Sequence, residues 1–310
     1  MLSRRQLRVK VFQSLYSFYQ SEKGDLAIAE RELLRSIDKV YELYLFLLSL
    51  LKELGDADLQ DVEELGQKHF PKEEELKAKN RLHKLSFILQ LSSDQKFLDA
   101  VKSHKLSWQK EQELIRKIFL EVKKSTDYRN FLMNKADISE RDFLTNLVKQ
   151  HVESSESLKN FIEENNIYWM EDFSFICHLV MKTIKDFYSS GKLELVPVYK
   201  DEDDKAFVTS LFSKTVLNNK EYEEAIAGKT QNWEVERIAL IDMILLKMSL
   251  AEMVSFPGIP VKVSINEYID ISKDYSTPKS RQFINGIIDK LADEYKKTGK
   301  IVKMGRGLQE

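Results

Sequence analysis

Apolar residues recur along this chain at steps of three and four, the spacing of helices with one buried face. Ser3 and Gln6 have the spacing of a capping box, which predicts a helix from there to about Ser21, where Gly24-Asp25 interrupts the pattern. Two stripes run along it. Leu7, Val11, Leu15 and Phe18 form the one assigned to a core, and Arg5, Val9, Phe12, Tyr16 and Tyr19 form the other. Asp25 is placed to cap a second helix through Leu54, on which Leu33, Ile37, Val40, Tyr44 and Leu47 make a buried face. Leu45 to Leu48 is apolar nearly all round, so that end is expected to be covered from several sides.

Helical patterns continue through residues 56–190. Pro71 suits a first helical turn before Glu73-Glu74-Glu75, and Ser92-Ser93-Asp94 punctuates the chain. Helices fit Ser107–Lys124, Ser139–Val152, Ser157–Asn165 and Asp172–Phe187. Lys192–Tyr199, with Pro197, reads as an extended linker. Beyond it helices are predicted over 205–218, 219–228, 233–255, 265–274 and 278–297. Ser264 with Glu267 has capping-box spacing, and Thr277-Pro278 reads as a cap with proline at the first helical position. The basic tail beyond Gly299 is expected to fray.

Composition supports the same picture. Only 10 Gly and 5 Pro occur in 310 residues, too few for a turn-rich β fold. At this length two helical units, or one domain with a large insertion, are expected. A single cysteine, Cys177, excludes an internal disulfide and suits a reducing compartment. Leu7–Gln20 is broken by Arg8, Lys10 and Gln13, unlike a signal-peptide core, and the apolar run Leu43–Leu51 is too short to span a bilayer. A soluble, cytoplasmic protein is expected, without membrane association.

Catalytic chemistry is not apparent. His69, His83, His104, His151 and His178 are scattered, Cys177-His178 is adjacent rather than spaced for a shared helix face, and no phosphate-loop, dinucleotide or zinc-protease motif occurs. Asp201–Asp204 reads as a solvated run, and Trp108, Trp169 and Trp233 as core aromatics. No cofactor, metal or catalytic residue is assigned.

The formal net charge is −2, so affinity for nucleic acid has to come from a local patch. The first 21 residues supply one: Arg4, Arg5, Arg8 and Lys10 occur there without an acidic residue. A stripe that mixes Arg5 with Phe12, Tyr16 and Tyr19 suits single-stranded nucleic acid, since cations neutralise phosphate and each stacked base contributes roughly 1–3 kcal/mol. The same residues also describe a helix with two packed faces and a solvated basic end. Composition leaves both readings open.

The C-terminal third adds sequence signatures. It reads Leu246-Lys247-Met248-Ser249-Leu250-Ala251-Glu252-Met253, then Ile259-Pro260-Val261-Lys262-Val263-Ser264-Ile265-Asn266-Glu267, then Arg281-Gln282-Phe283-Ile284-Asn285-Gly286-Ile287-Ile288. This resembles the NusB family of transcription antitermination factors, as does the opening Arg8 followed by Gln13-Ser14-Leu15-Tyr16. The resemblance covers residues 200–297 well and 1–55 loosely. It implies an all-α, NusB-like helical bundle with a large helical insertion between its halves: 1–55 and 205–297 forming the bundle, 56–190 the insertion, 191–204 a linker and 298–310 the tail.

Carried over, the family's function implies a non-enzymatic factor that binds boxA-like RNA. The RNA-binding positions are Arg4, Arg5, Arg8 and Gln13 on the first helix, and Lys279, Ser280, Gln282 and Phe283 at the start of the last. Lys279 stands where compact relatives often carry an acidic or neutral residue, which favours phosphate over base selectivity. Phe283 reads equally as a stacking ring or a core residue. The implied protein partner is NusE, a ribosomal small-subunit protein, and through it RNA polymerase. Tyr16, Asp242 and Glu236 match its docking surface; a homodimer is left open. Asn266 and Glu267 read as fold signatures, and Gly286 as the site of a close helix–helix contact. Two other readings stand beside this one: a helical accessory related to the N-terminal domains of rRNA methyltransferases, and a scaffold acting through the insertion.

Overall fold

Ser3 and Gln6 close the box their spacing predicts. The Ser3 hydroxyl accepts the Gln6 N–H at 3.3 Å, and the Gln6 side chain accepts the Ser3 N–H at 2.7 Å, starting α1 (Arg4–Gln20). The computed structural model describes residues 2–21, 24–67, 78, 80–134, 137–230 and 238–308. It is all-α, and the described residues form two compact units: residues 1–37 with 198–310, and residues 38–197. No helix among them is long and apolar enough to cross a membrane. Pro71, His69, Trp233 and Glu236 lie outside the described residues.

The boundary between units falls inside α2 (Leu26–Gly66), not at residue 55. Asp25 accepts the Ile28 N–H at 2.9 Å, as a cap should. The helix then runs past Leu54 because the following residues are held by tertiary contacts. Gly55 lets Ile88 approach to where a Cβ would meet it at 2.6 Å, and Asp58 and Leu65 are buried. A helix that changes partners keeps its period, so the change is silent in the sequence.

The unit of residues 38–197 continues with α3 (Ser86–Ser93), α4 (Gln95–Ser103), α5 (Gln112–Lys124), α6 (Thr126–Leu132) and α7 (Glu140–Leu147). A π-helical turn over Val148–Val152 prolongs α7, followed by α8 (Glu156–Asn165), α9 (Ile167–Met170) and α10 (Phe173–Ser190). Trp108 stacks on Phe46 with centroids 3.9 Å apart, and its indole N–H reaches Ser49 at 2.9 Å. Asp58, fully buried, accepts Tyr128 Oη at 2.6 Å and Arg81 Nη1 at 3.1 Å, and lies 2.7 Å from His83 Nδ1.

In the other unit α1 packs with α11 (Glu202–Leu217), α13 (Leu240–Ser255) and α14 (Val261–Tyr275), while α12 (Asn219–Ala227) and α15 (Pro278–Lys297) pack on α13. Two expectations need correction. Helix α14 begins at Val261 rather than after Ser264, whose hydroxyl donates instead to Glu252 at 2.7 Å. The tail is anchored rather than frayed: Met304 N–H donates to Pro257 O at 3.1 Å and Lys303 Nζ to Phe256 O at 2.9 Å. Gly307 lies so close to Pro257 that a Cβ would meet its carbonyl oxygen at 1.9 Å, which only glycine accommodates.

At the centre of this unit Glu252 is 0% exposed and Arg8 3%. Arg8 donates Nε and Nη2 to the two carboxylate oxygens at 2.7 and 2.8 Å, and Tyr268 Oη donates at 2.9 Å. Burial opposes the Arg8 charge, but the bonds to Glu252 outweigh it and hold the guanidinium pKa above its ordinary value. Burial, and then the Glu252 charge, push the Tyr268 hydroxyl well up. Replacing one partner strands the other in a dry core. Arg8→Met should therefore cost about 3–5 kcal/mol in urea unfolding, and Arg8→Met/Glu252→Met should recover most of it. A single variant within about 1 kcal/mol of wild type would show that the pair does not hold the unit together.

Candidate nucleic-acid interface

The capping box fixes where α1 begins, and the Arg8–Glu252 pair fixes which way it is rotated. Arg4 and Arg5 are thereby left at the surface, each beside carboxylates. Arg4 Nε lies 2.6 Å from Asp204, and its guanidinium sits 4.4 Å from the Phe207 ring centroid. Arg5 binds Glu267 through Nε and Nη2 at 2.9 and 3.1 Å, and Asp270 at 2.7 Å. The Glu267 hydrogen bond is the main cause of a raised Arg5 pKa, while Asp270, bonded to Lys273 and facing Arg5, is held below the usual carboxylate range. The Arg4 and Arg5 side chains nevertheless remain 40% and 49% exposed.

Arg8 does not share that surface. Its reading as an RNA contact is corrected: the guanidinium is buried and satisfied by Glu252, so its role in this conformation is structural. Phe12 is corrected likewise. It is buried and packs on Tyr275 with centroids 5.0 Å apart, so it offers no free face for stacking. Tyr19 is half-buried and donates to Asn219 at 3.0 Å, beside Lys247.

The same contacts bring α1 to the other predicted half of the site. Gln13 Nε2 donates to Tyr275 Oη at 3.1 Å, and Tyr275 is the last residue of α14. Two residues on, Thr277 caps α15 by accepting the Ser280 N–H at 3.1 Å, with Pro278 as the first helical residue. The surface near this cap includes Lys279 and Gln282, both exposed, while Ser280 and Phe283 are half-buried. Thus Gln13 meets the end of α14, two residues before the Thr277 cap of α15, and Arg5 meets α14 one to two turns earlier.

The predicted partner-binding residues divide. Tyr16 is 39% exposed, its hydroxyl accepting Gln20 Nε2 at 3.4 Å. Asp242 is corrected from a docking residue to a buried one: it is 4% exposed and accepts Ser276 Oγ at 2.5 Å, tying the first turn of α13 to the turn before α15. Glu236 falls outside the described residues. Gly286 is exposed, with open space where its Cβ would be, so the expected close helix contact is absent.

Sequence reasoning missed the acids that hold the arginines. Glu267 was expected to complete a cap and instead pairs with Arg5, with Asp270 one turn further along the same face. An acid pair spaced by three on a helix, in a chain whose first helix has only cations, was the available signal.

Residues 176–293 match the model of the NusB family, a segment that includes the start of α15 and leaves α1 outside. A protein of Salinibacter ruber named transcription antitermination protein NusB is 42% identical over 113 residues, 36% of this chain and 71% of that protein. The protein of the same name from Chloroherpeton thalassium is 41% identical over 36% of this chain, which spans about half (53%) of that relative. The one from Natranaerobius thermophilus is 33% identical over 29% of this chain and 66% of its own length. No solved structure matches. With that level of identity over most of the Salinibacter protein, the chain belongs to the NusB family.

Proposed function

We propose that this chain is a transcription antitermination factor that acts by binding, with a boxA-like RNA held across α1 and the start of α15. The observation that carries this reading is the junction at Tyr275, where Gln13 and Phe12 of α1 meet the residue that leads into α15. It sets the middle of α1 beside the turn that leads into α15, about 12 Å along α1 from Arg5 at 1.5 Å per residue. Lys279 lies in the first turn of α15, where backbone N–H groups and a cation together favour a phosphate. Arg4, Arg5, Gln13, Ser280 and Gln282 complete the contact surface, and Phe283 supplies a ring edge. Arg8 positions α1 without touching RNA.

Arg4 and Arg5 reach phosphate from pre-existing ion pairs. Asp204, Glu267 and Asp270 hold them in place and lower the local net charge, so RNA gains orientation at the expense of raw attraction. NusE docks alongside, next to Tyr16, and links the bound RNA to RNA polymerase. With Asp242 buried, Tyr16 is the described residue that anchors this contact.

Two measurements test the reading. In fluorescence anisotropy with a boxA RNA, Lys279→Ala should weaken binding and reduce the salt slope by about 1, and Arg4→Ala/Arg5→Ala should reduce it by about 2. Unchanged affinity and slope in a variant lacking all three cations would remove the RNA site from this surface. In a pull-down with NusE, Tyr16→Ala should lose the partner while still binding RNA. Recovery of NusE at the wild-type level would place docking elsewhere.

A further inference from the structure

At the far end of α15 from Lys279 lies a cavity of about 380 Å³, lined by Val261, Lys262, Ile265, Lys296, Ile301, Lys303, Gly307 and Leu308. Lys279 and Lys296 are separated along the helix by about 25 Å, at 1.5 Å per residue, so this is a separate site. It owes its existence to the anchored tail. Met304 and Gly307 are pinned at Pro257, which brings Ile301, Lys303 and Leu308 over the first turn of α14.

Its chemistry is divided. Val261, Ile265, Ile301 and Leu308 give an apolar surface, while Lys262, Lys296 and Lys303 approach from three different elements. Among the described residues no acidic side chain lines it. Lys303 spends one donor on the Phe256 carbonyl and keeps two. The volume sits at the low end of ligand clefts, roughly 300–1,000 Å³, which suits one small molecule rather than an extended chain. The Lys262 and Lys303 ammonium groups together call for more negative charge than a single carboxylate carries, and the aliphatic surface beside them suits the flat face of a ring. We infer that this cavity is a nucleotide-binding site, with the phosphate held by Lys262 and Lys303 and the base laid on Val261, Ile265, Ile301 and Leu308.

The nucleotide is a free one, because its phosphate monoester supplies more than one negative charge, whereas each phosphodiester of an RNA strand carries only one. Burial lowers the Lys303 pKa to about 8, partly opposed by the charge of Glu252 on α13. The other charged groups at the cavity are Lys262 on α14 and Lys296 on α15. A phosphate monoester is already dianionic above a pH of about 6. A loss of affinity between pH 7 and 9 therefore reports deprotonation of Lys303.

The full chain should be titrated with AMP, with GMP, with an oligoribonucleotide, and with inorganic phosphate and decanoate as controls. Expected is mononucleotide binding that is stronger than either control, falls from pH 7 to 9, and weakens roughly tenfold or more in Lys303→Gln and in Lys262→Glu. Lys262 is exposed, so Lys262→Glu should melt like wild type and separates lost binding from lost folding. Binding of the oligoribonucleotide alone, still sensitive to both substitutions, would overturn the inference and assign the site to an RNA strand. Insensitivity of every ligand to both substitutions, or a preference for inorganic phosphate or decanoate, would overturn the inference. Because Arg4, Arg5 and Lys279 are untouched, failure here leaves the boxA surface standing, and failure there leaves this cavity standing.

Discussion

A carboxylate with no solvent exposure, Glu252, sets the terms for the unit built from the two ends of the chain. It is held by both arms of Arg8, by Ser264 and by Tyr268, which come from α1 and two turns of α14. A charge buried this deeply is tolerated only with a full set of partners in good geometry. Apolar packing would allow α1 to slide or rotate by part of a turn at modest cost. The bidentate pair admits one rotation, and from it follow the exposure of Arg4 and Arg5, the burial of Phe12 and the meeting of Gln13 with Tyr275.

Unit 38–197 uses the same device with different residues. Asp58 is fully buried between Arg81, Tyr128 and His83, as Glu252 is between Arg8, Tyr268 and Ser264. In both, an acid on one helix gathers an arginine and a tyrosine from other elements. Shape-filling aliphatic cores specify a fold loosely, and a polar hub that must be satisfied in full narrows the choice. The surface cations illustrate the complementary case. Arg5 is bound by Glu267 and Asp270 yet remains half exposed, so its pairing orients the side chain without removing it from contact.

Local chemistry was readable in the sequence wherever a helix end or a period decided the outcome. The Ser3–Gln6 box, the Asp25 cap and the span of α15 from Pro278 to Lys297 are present as the spacing predicts. What the sequence left open was the destination of each charge. Arg5 and Arg8 look alike in a helical projection, and only the position of Glu252, 244 residues away, separates a surface cation from a core one. Ser264 and Glu267 carry capping-box spacing, but Pro260 starts α14 a turn earlier and both side chains serve other partners. Asp242 on α13 was indistinguishable from an exposed acid until the turn before α15 was placed against it. In each of these cases a long-range partner overrode a local pattern.

The sequence distance between Arg8 and Glu252 also orders events on the ribosome. The hub of the unit spanning 38–197 closes within residues 58–128, all of which emerge early. Arg8 has to wait until residue 252 is made, and Arg4 and Arg5 until 204, 267 and 270. Domains fold as they leave the ribosome at about 5–20 residues per second, so α1 is made before the unit of residues 38–197 and neutralised after it. Between residues 197 and 252, about 3–11 seconds at those rates, Arg5 and Arg8 have been made without the carboxylates they pair with, while the unit of residues 38–197 is complete in sequence.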